Sequence, residues 1–560
     1  MGRFNLIDEP WISVIVNDNA DTELVSMKSL FKQANTFKEI AGDMPVQDFA
    51  VFRFTLSVMQ TYFSRYDANG KTYEMLTYND KMQVEAIEET AKADYEQALY
   101  QTWATLWETK TLPTGFYDYL NVWKDRFNLF DNRYPIMQVP MHIVEEFGIT
   151  GKQMGVMRAK NINRLISESD NKVALFSPMS GKEKDHLKAD EVARWLLTLH
   201  GYAGLADKVF IHEKSYKASK GWLFDIGGLT LSGDSVMETL LLNLVLVHPE
   251  EEYRFNIQRP AWEYSARDIL NRYLDNDTEP GNLAELYTLW SRAVVIHPET
   301  NLNEPFEMQV AKIPDIRHVN QFLEPMTIWH YNRTGPNKEL FTPRKHIDTR
   351  PFWYNIERVL GQKDEIHQPG IITWLNNINP LVGDKGIQLH AVTMKDNASA
   401  MSWLPVGEIV DNLNVSNQII TDKDAWAPFI VDVVQHTYET IELNYGRLIA
   451  DILEIRNSQN TGYRQNKIQE VYVQLDEPFK EWMASLDKDM SKNEALRKWD
   501  VILREVLSGE ADYLLSEASD RDYRGIEISL AAAKKKRIKN IVSVMSNFHN
   551  RLDEALKGVE

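Results

Sequence analysis

"IVDVVQHTYETIELNYGRLIADILEI", residues 430–455, decides how this chain divides. Its apolar residues Ile430, Val434, Tyr438, Ile441, Tyr445, Leu448, Ile452 and Ile455 recur in steps of three and four. At 3.6 residues per turn that spacing lines them along one side of a helix, the signature of a single buried stripe. The spacing returns at Ile468, Tyr472, Leu475, Phe479, Trp482 and Leu486, where Pro478, lacking an amide hydrogen, is expected to kink the helix or open a new first turn. Leu496, Trp499, Leu503 and Val506 repeat it behind Ser491 and Glu494, which are spaced as a capping box. Ile538, Ile541, Met545, Phe548 and Leu552 make the last run. Four amphipathic helices with short polar connections predict a four-helix bundle over residues 411–560.

Residues 1–410 read differently. "WISVIV" (11–16) and "ELVSM" (23–27) flank the turn-rich "NDNAD" and predict a hairpin. "VQDFAVFRFTLSVMQTYF" (46–63) is apolar nearly all round and predicts a core helix, and helical spacing continues from Asp94 to Thr109. Between about 200 and 400 the chain breaks into short β-branched and aromatic pieces, "WLFDIGGLTL" and "PMTIWHYN" among them. The fold class is therefore α+β, a large irregular mixed N-terminal domain followed by the bundle.

A chain of 560 residues exceeds one core, and 43% hydrophobic residues with 15 Trp supply ample packing material. No run approaches the roughly 18 apolar residues that span a bilayer. "METLLLNLVLVHP" (237–249) comes nearest and reads as a buried helix or strand. The opening residues carry neither a secretory nor a myristoylation pattern, so a cytoplasmic location is expected. Cysteine is absent, which excludes disulfides, thiol nucleophiles and thiolate metal sites. The net charge of −19 disfavours strong unaided binding to nucleic acid, because phosphate contacts rest on Lys and Arg, but leaves room for a local basic patch.

Motifs for catalysis fail one after another. "NGKT" (69–72) lacks the first glycine of a phosphate-binding loop, since that position is Arg65. "SGKEKDH" (180–186) has Glu183 where magnesium needs Ser or Thr. The two "HPE" tripeptides, at His248 and His297, read as turn openings and not as metal ligands. No catalytic residue, metal or cofactor is expected. Two loops fit contact with phosphate or equally an exposed, solvated surface: "SGKEKDHLK" (180–188) and "HEKSYKASKGW" (212–222). The run Lys534, Lys535, Lys536, Arg537 and Lys539, placed on the final helix, reads either as a nucleic-acid or acidic-partner contact or as a solvated helix face. In "VTMKDNASAMSW" (392–403) a short polar insert stands between apolar Val392, Met394, Met401 and Trp403, locally the pattern of a turn.

Five stretches in order resemble the CasA-type large subunit of the type I-E CRISPR Cascade complex: "FNLIDEPWISV" (4–14) with "LVSMKSLF", "FNLFDNRYPIMQV" (127–139), "LLLNLVL", "NIQRPAWE" (256–263), and "KDNASA" before the helical C-terminal part. The resemblance implies a DNA-binding subunit and not an enzyme. It would recognise a short protospacer-adjacent motif (PAM) through the minor groove, help open target duplex for R-loop formation, hold the displaced strand, and help recruit a helicase-nuclease. It implies as partners the other Cascade subunits and guide RNA, double-stranded target DNA and the displaced single strand, with no membrane and, without cysteine, no zinc. Carried over by residue, the DNA wedge falls on Lys395, Asp396, Asn397, Ala398 and Ser399. The minor-groove cation falls on Lys312 or Arg317, and the groove-approaching loop on Lys217, Ser219, Lys220 and Gly221. The target-engagement loop carries Lys182, Lys184 and His186, and the C-terminal basic run is a candidate for the displaced strand. The alternative is a structural protein that binds protein partners, with only incidental nucleic-acid contact.

Overall fold

The computed structural model describes residues 4–162, 183–204, 209–212, 216–275, 279–361, 363, 365–396, 405–530 and 535–557. The chain forms two compact units, one from residues 1–346, 364–382 and 389–410, the other from 347–363, 383–388 and 411–560.

The first unit is built around the helix Pro45–Phe63, in which every residue from Val46 to Phe63 except Asp48 is buried. A helix apolar all round has no solvent side and must be enclosed. Phe54 meets the ring edges or faces of Trp11, Phe127 and Trp262. One arginine within this helix and one just beyond its end are also interior, and each is answered by a bidentate carboxylate. Arg53 donates from Nη1 and Nη2 to Glu324 at 2.7 Å each. Arg65, the residue that breaks the phosphate-loop pattern, donates to Glu263 at 2.8 and 2.9 Å, and Tyr119 and Gln83 also donate to that carboxylate. A buried charge persists only when paired and hydrogen-bonded in this way.

The expected N-terminal hairpin is present, Ile12–Ile15 antiparallel to Thr22–Val25 with Ile12 opposite Val25. The helix expected near 94–109 spans Lys92–Thr109, and Val236–Leu242 is a buried helix. In both HPE turns the histidine Nδ1 accepts from the backbone N–H two residues on, Glu250 at 3.1 Å and Glu299 at 3.2 Å. Among the described residues no group of three or more His, Asp or Glu is placed to hold a metal, and no helix is long and apolar enough to cross a membrane. One three-stranded sheet orders Gly155–Arg158, Glu307–Lys312 and Arg292–Val295. Another orders Pro405–Ser416, Gly386–Asp396 and Gly228–Ser232.

The second unit contains the helices Trp426–Thr440 and Gly446–Ile455, continuous through a π-helical turn at Ile441–Tyr445, then Thr461–Ala484, Lys492–Ser516 and Ile541–Ala555. Most of the 430–455 stripe is buried as expected, but its path runs through Thr437, not Tyr438. Thr437 is drawn inward because its hydroxyl accepts from Trp499 Nε1 at 2.7 Å. Pro478 lies inside the helix Thr461–Ala484 and does not open a new first turn; the neighbouring Leu475 and Phe479 are buried, with Phe479 stacked 4.3 Å from Trp353. Two expectations need correction. Ser491 is the N-cap, yet no side chain completes the capping box, because Glu494 turns to Lys498 at 2.9 Å. Lys535–Lys539 is not helical: it is a strand antiparallel to Ile526–Leu530, and Ile538, expected in the buried stripe, is 60% exposed. The final helix starts only at Ile541, where the Asn540 side chain accepts from Ser543 N–H and fixes the start.

Candidate nucleic-acid interface

The strands Gly386–Asp396 and Pro405–Ser416 form an antiparallel ribbon. Gln388 donates to Asn414 at 3.1 Å, while a Cβ on Gly407 would sit 3.9 Å from that of Lys395, so one strand retreats as the other advances. Val392, Thr393 and Met394 are all buried, and Thr393 donates to the Ile226 carbonyl at 2.7 Å. At Lys395 the chain emerges into solvent. Asp396 is held by Lys345 at 2.8 Å, and the Lys345 ammonium lies 4.3 Å from the centroid of the Phe224 ring. On the returning strand Glu408 accepts from Val46 N–H at 3.1 Å, at the start of the central helix. The ribbon is thus fastened on both strands just before residues 397–404. Asn397, Ala398 and Ser399, with Met401 and Trp403, lie outside the described residues.

The groove-loop residues and the minor-groove candidates, about a hundred positions apart in sequence, are joined by backbone pairing. Ser219 N–H donates to Ile313 O at 3.0 Å, Asp315 N–H to Lys217 O at 2.8 Å, and Ala218 bridges Pro314. Lys312 is 8% exposed, with its ammonium 5.2 Å from the Phe210 ring centroid, whereas Arg317 is exposed and makes no ion pair or hydrogen bond among the described residues. Lys217 is 76% exposed and pairs with Asp315. Lys220 donates to Asp225 at 2.6 Å and stands 5.5 Å from the Phe224 centroid. Ser219 is buried and accepts from Gly221 N–H at 3.2 Å. Gly221 has φ +75°, and a Cβ there would come within 2.6 Å of the Gly201 carbonyl oxygen, so this position takes glycine for backbone fit. Beside the loop Trp222 stacks on His318 at 4.1 Å and donates to Glu324 at 2.6 Å, which ties the surface to the interior Arg53 pair.

Phe224 therefore brings two candidate regions together, Lys220 of the loop and, through Lys345, Asp396 at the root of the ribbon. Sequence reasoning missed Lys345, Phe224 and Glu408. The adjacent cations Arg344 and Lys345 were a signal for the first; the others are ordinary residues whose role exists only in three dimensions. Gly227, just beyond the loop, serves close packing, since a Cβ there would meet the Arg344 carbonyl oxygen at 2.2 Å.

The remaining candidates lie elsewhere. Lys184 lies within, and His186 directly after, the short 3-10 turn Glu183–Asp185; both are half-buried, the Asp185 carbonyl accepts from Phe306 N–H at 2.6 Å, and Lys182 lies outside the described residues. In the basic hairpin Lys539 donates to Asp451 at 2.6 Å and to Glu454. Burial alone would lower its pKa, but the two carboxylates overcome that and hold it above the ordinary lysine value. Arg537 is exposed, and Lys534 lies outside the described residues.

A large mixed first unit carrying the ribbon and a second, helix-rich unit make a fold shared with CRISPR-associated proteins. The family model described as CRISPR-associated protein Cse1 matches residues 5–508, and the chain belongs to that family. A curated relative from Thermus thermophilus, CRISPR-associated protein CasA/Cse1, is 24% identical over 266 residues, 47% of this chain and 42% of the relative's length. The fold matches a crystal structure of Thermobifida fusca Cse1 with TM-score 0.75 at 21% identity, covering 100% of this chain and 99% of that one. It matches a crystal structure of Thermus thermophilus CasA with TM-score 0.67 at 17% identity, covering 100% of both. A chain in a structure described as a CRISPR RNA-guided surveillance complex matches with TM-score 0.65 at 14% identity, covering 99% of this chain and 100% of that one.

Proposed function

We propose that this chain is the large subunit of a cytoplasmic CRISPR RNA-guided surveillance complex. In this reading it recognises the PAM of double-stranded target DNA through the minor groove and starts strand separation with residues 395–399. The other subunits and the guide RNA read the target by base pairing, so the protein inspects only a short duplex element. The helices of the second unit form a four-helix bundle that holds the displaced strand and, with its surroundings, offers a docking face to the helicase-nuclease. The subunit itself performs no catalysis.

The observation that carries this reading is the meeting at Phe224 of the loop lysine Lys220 with the Lys345–Asp396 anchor of the ribbon. A wedge must push on stacked bases from a base that does not yield, and the ribbon is pinned on both strands where it emerges. Lys217 and Lys220 already have carboxylate partners, so phosphate has to displace Asp315 and Asp225 to reach them. That exchange weakens indiscriminate binding and favours a reader that engages only where groove shape also fits. Minor-groove edges separate A·T from T·A poorly, so several related PAMs should be accepted.

Opening the first base steps costs roughly a few kcal/mol, which an inserted side chain partly offsets. Replacing Asn397 and its neighbours with Gly and Ala should therefore slow R-loop formation on linear target. The effect should be smaller on negatively supercoiled DNA, where torsion supplies part of the opening energy. Undiminished opening on both substrates would refute the wedge.

A further inference from the structure

Beside the π-helical turn Ile441–Tyr445 the second unit has an open groove, lined by Glu442, Leu443, Arg447, Arg464, Arg551 and Glu554 among others. π-turns in otherwise regular helices often mark functional positions, because the extra residue pushes a side chain out of register. Here it presents Leu443 at 64% exposure.

The three arginines are not equivalent. Arg464 is held in place, donating to Gly446 O at 3.0 Å and to Glu442 at 2.8 Å. Arg447 is exposed and makes no ion pair or hydrogen bond among the described residues. Arg551 has its Nε and Nη2 shielded from solvent with no hydrogen-bond partner among those residues; burial lowers its pKa, the charge of Asp451 opposes this, and Arg447 adds to it. Shielded guanidinium donors left unanswered are costly, and an anion arriving in the groove removes that cost.

We propose that this groove binds a carboxylate side chain of an acidic, leucine-bearing segment of a partner protein. The carboxylate meets the forks of Arg551 and Arg447, and the neighbouring leucine covers Leu443. Glu442 and Glu554 in the same groove argue against a nucleic-acid backbone. Its successive phosphates would face both carboxylates, whereas a single side-chain carboxylate passes between them. This site is independent of the PAM reading, since it uses none of the same residues and needs no DNA.

The test uses the full chain and two fluorescent probes, a peptide with a single Glu beside Leu in an otherwise uncharged sequence and an oligothymidylate, read by anisotropy. Saturable peptide binding is expected, weakened about tenfold or more, equivalent to about 1.4 kcal/mol, by Arg551→Ala and by Arg447→Glu, with oligothymidylate binding unchanged. Leu443→Asp should also weaken the peptide. Should Arg551→Ala unfold the protein, the exposed Arg447→Glu and Leu443→Asp variants still decide. Peptide affinity unaltered in those two, or loss confined to oligothymidylate, overturns the proposal.

Discussion

Single side chains set how this acidic chain would meet DNA. Lys217 and Asp315 neutralise each other, so Asp315→Asn should release one cation. Duplex affinity should then rise at low salt, and the plot of log affinity against log salt should steepen by about 0.9 if that cation gains a phosphate. An unchanged slope would place Lys217 away from DNA. Asp48 is a different case: burial pushes its carboxyl up to about 7, the Gly42 N–H opposes this, and Asp43, Glu39 and Glu408 add to it. Its folded value lies above the ordinary 3.8, so the folded state takes up a proton as pH falls from 7 towards 4, and stability rises over that window. Above pH 7 the buried charge weighs fully against folding. Asp48→Asn should therefore raise the melting temperature at pH 8 and change it little near pH 4, checked by thermal unfolding at the two pH values. Of the site residues, Lys395 and Asp396 were legible as a polar interruption of an apolar run. Lys345, whose bond to Asp396 spans 51 positions, was not.

At the scale of elements, local period succeeded where one face decides burial. The helix Pro45–Phe63 and the stripe of 430–455 are governed by neighbours three and four residues away, and both formed close to their expected bounds. The basic run was misplaced because a cluster of lysines carries no period of its own, and pairing with Ile526–Leu530 made it a strand. This changes what it can touch: the run lies on a two-stranded hairpin instead of a helix, with Lys539 already held by Asp451 and Glu454. Changing Lys535, Lys536 and Arg537 to Glu should weaken retention of the displaced strand. The salt slope should fall by about 0.7 for each phosphate that is no longer bound, measured by footprinting and by single-strand binding across a salt series. An unaltered slope would make the hairpin a solvated edge.

For the whole molecule, the proposed function combined with a net charge of −19 requires that general affinity for DNA come from partners, with this chain contributing selection. Binding measured with PAM and non-PAM duplexes should be weak and similar for the chain alone, and should diverge once the other subunits and guide RNA are present. Equal binding in every case would favour the reading of a structural protein with incidental DNA contact. By itself the sequence determined the family resemblance, the mixed first part and helical last part, the N-terminal hairpin and the failure of each catalytic motif tested. These depend on composition and on spacings within a few residues. Only the tertiary structure decided which cations are neutralised, that Phe224 lies beneath both Lys220 and Lys345, that Gly221 and Gly227 serve backbone packing, and that Nε and Nη2 of Arg551 are shielded with no hydrogen-bond partner among the described residues. The reason is physical: an ion pair, a close approach or an unanswered donor is defined by its neighbour in space, and here those neighbours come from distant parts of the chain.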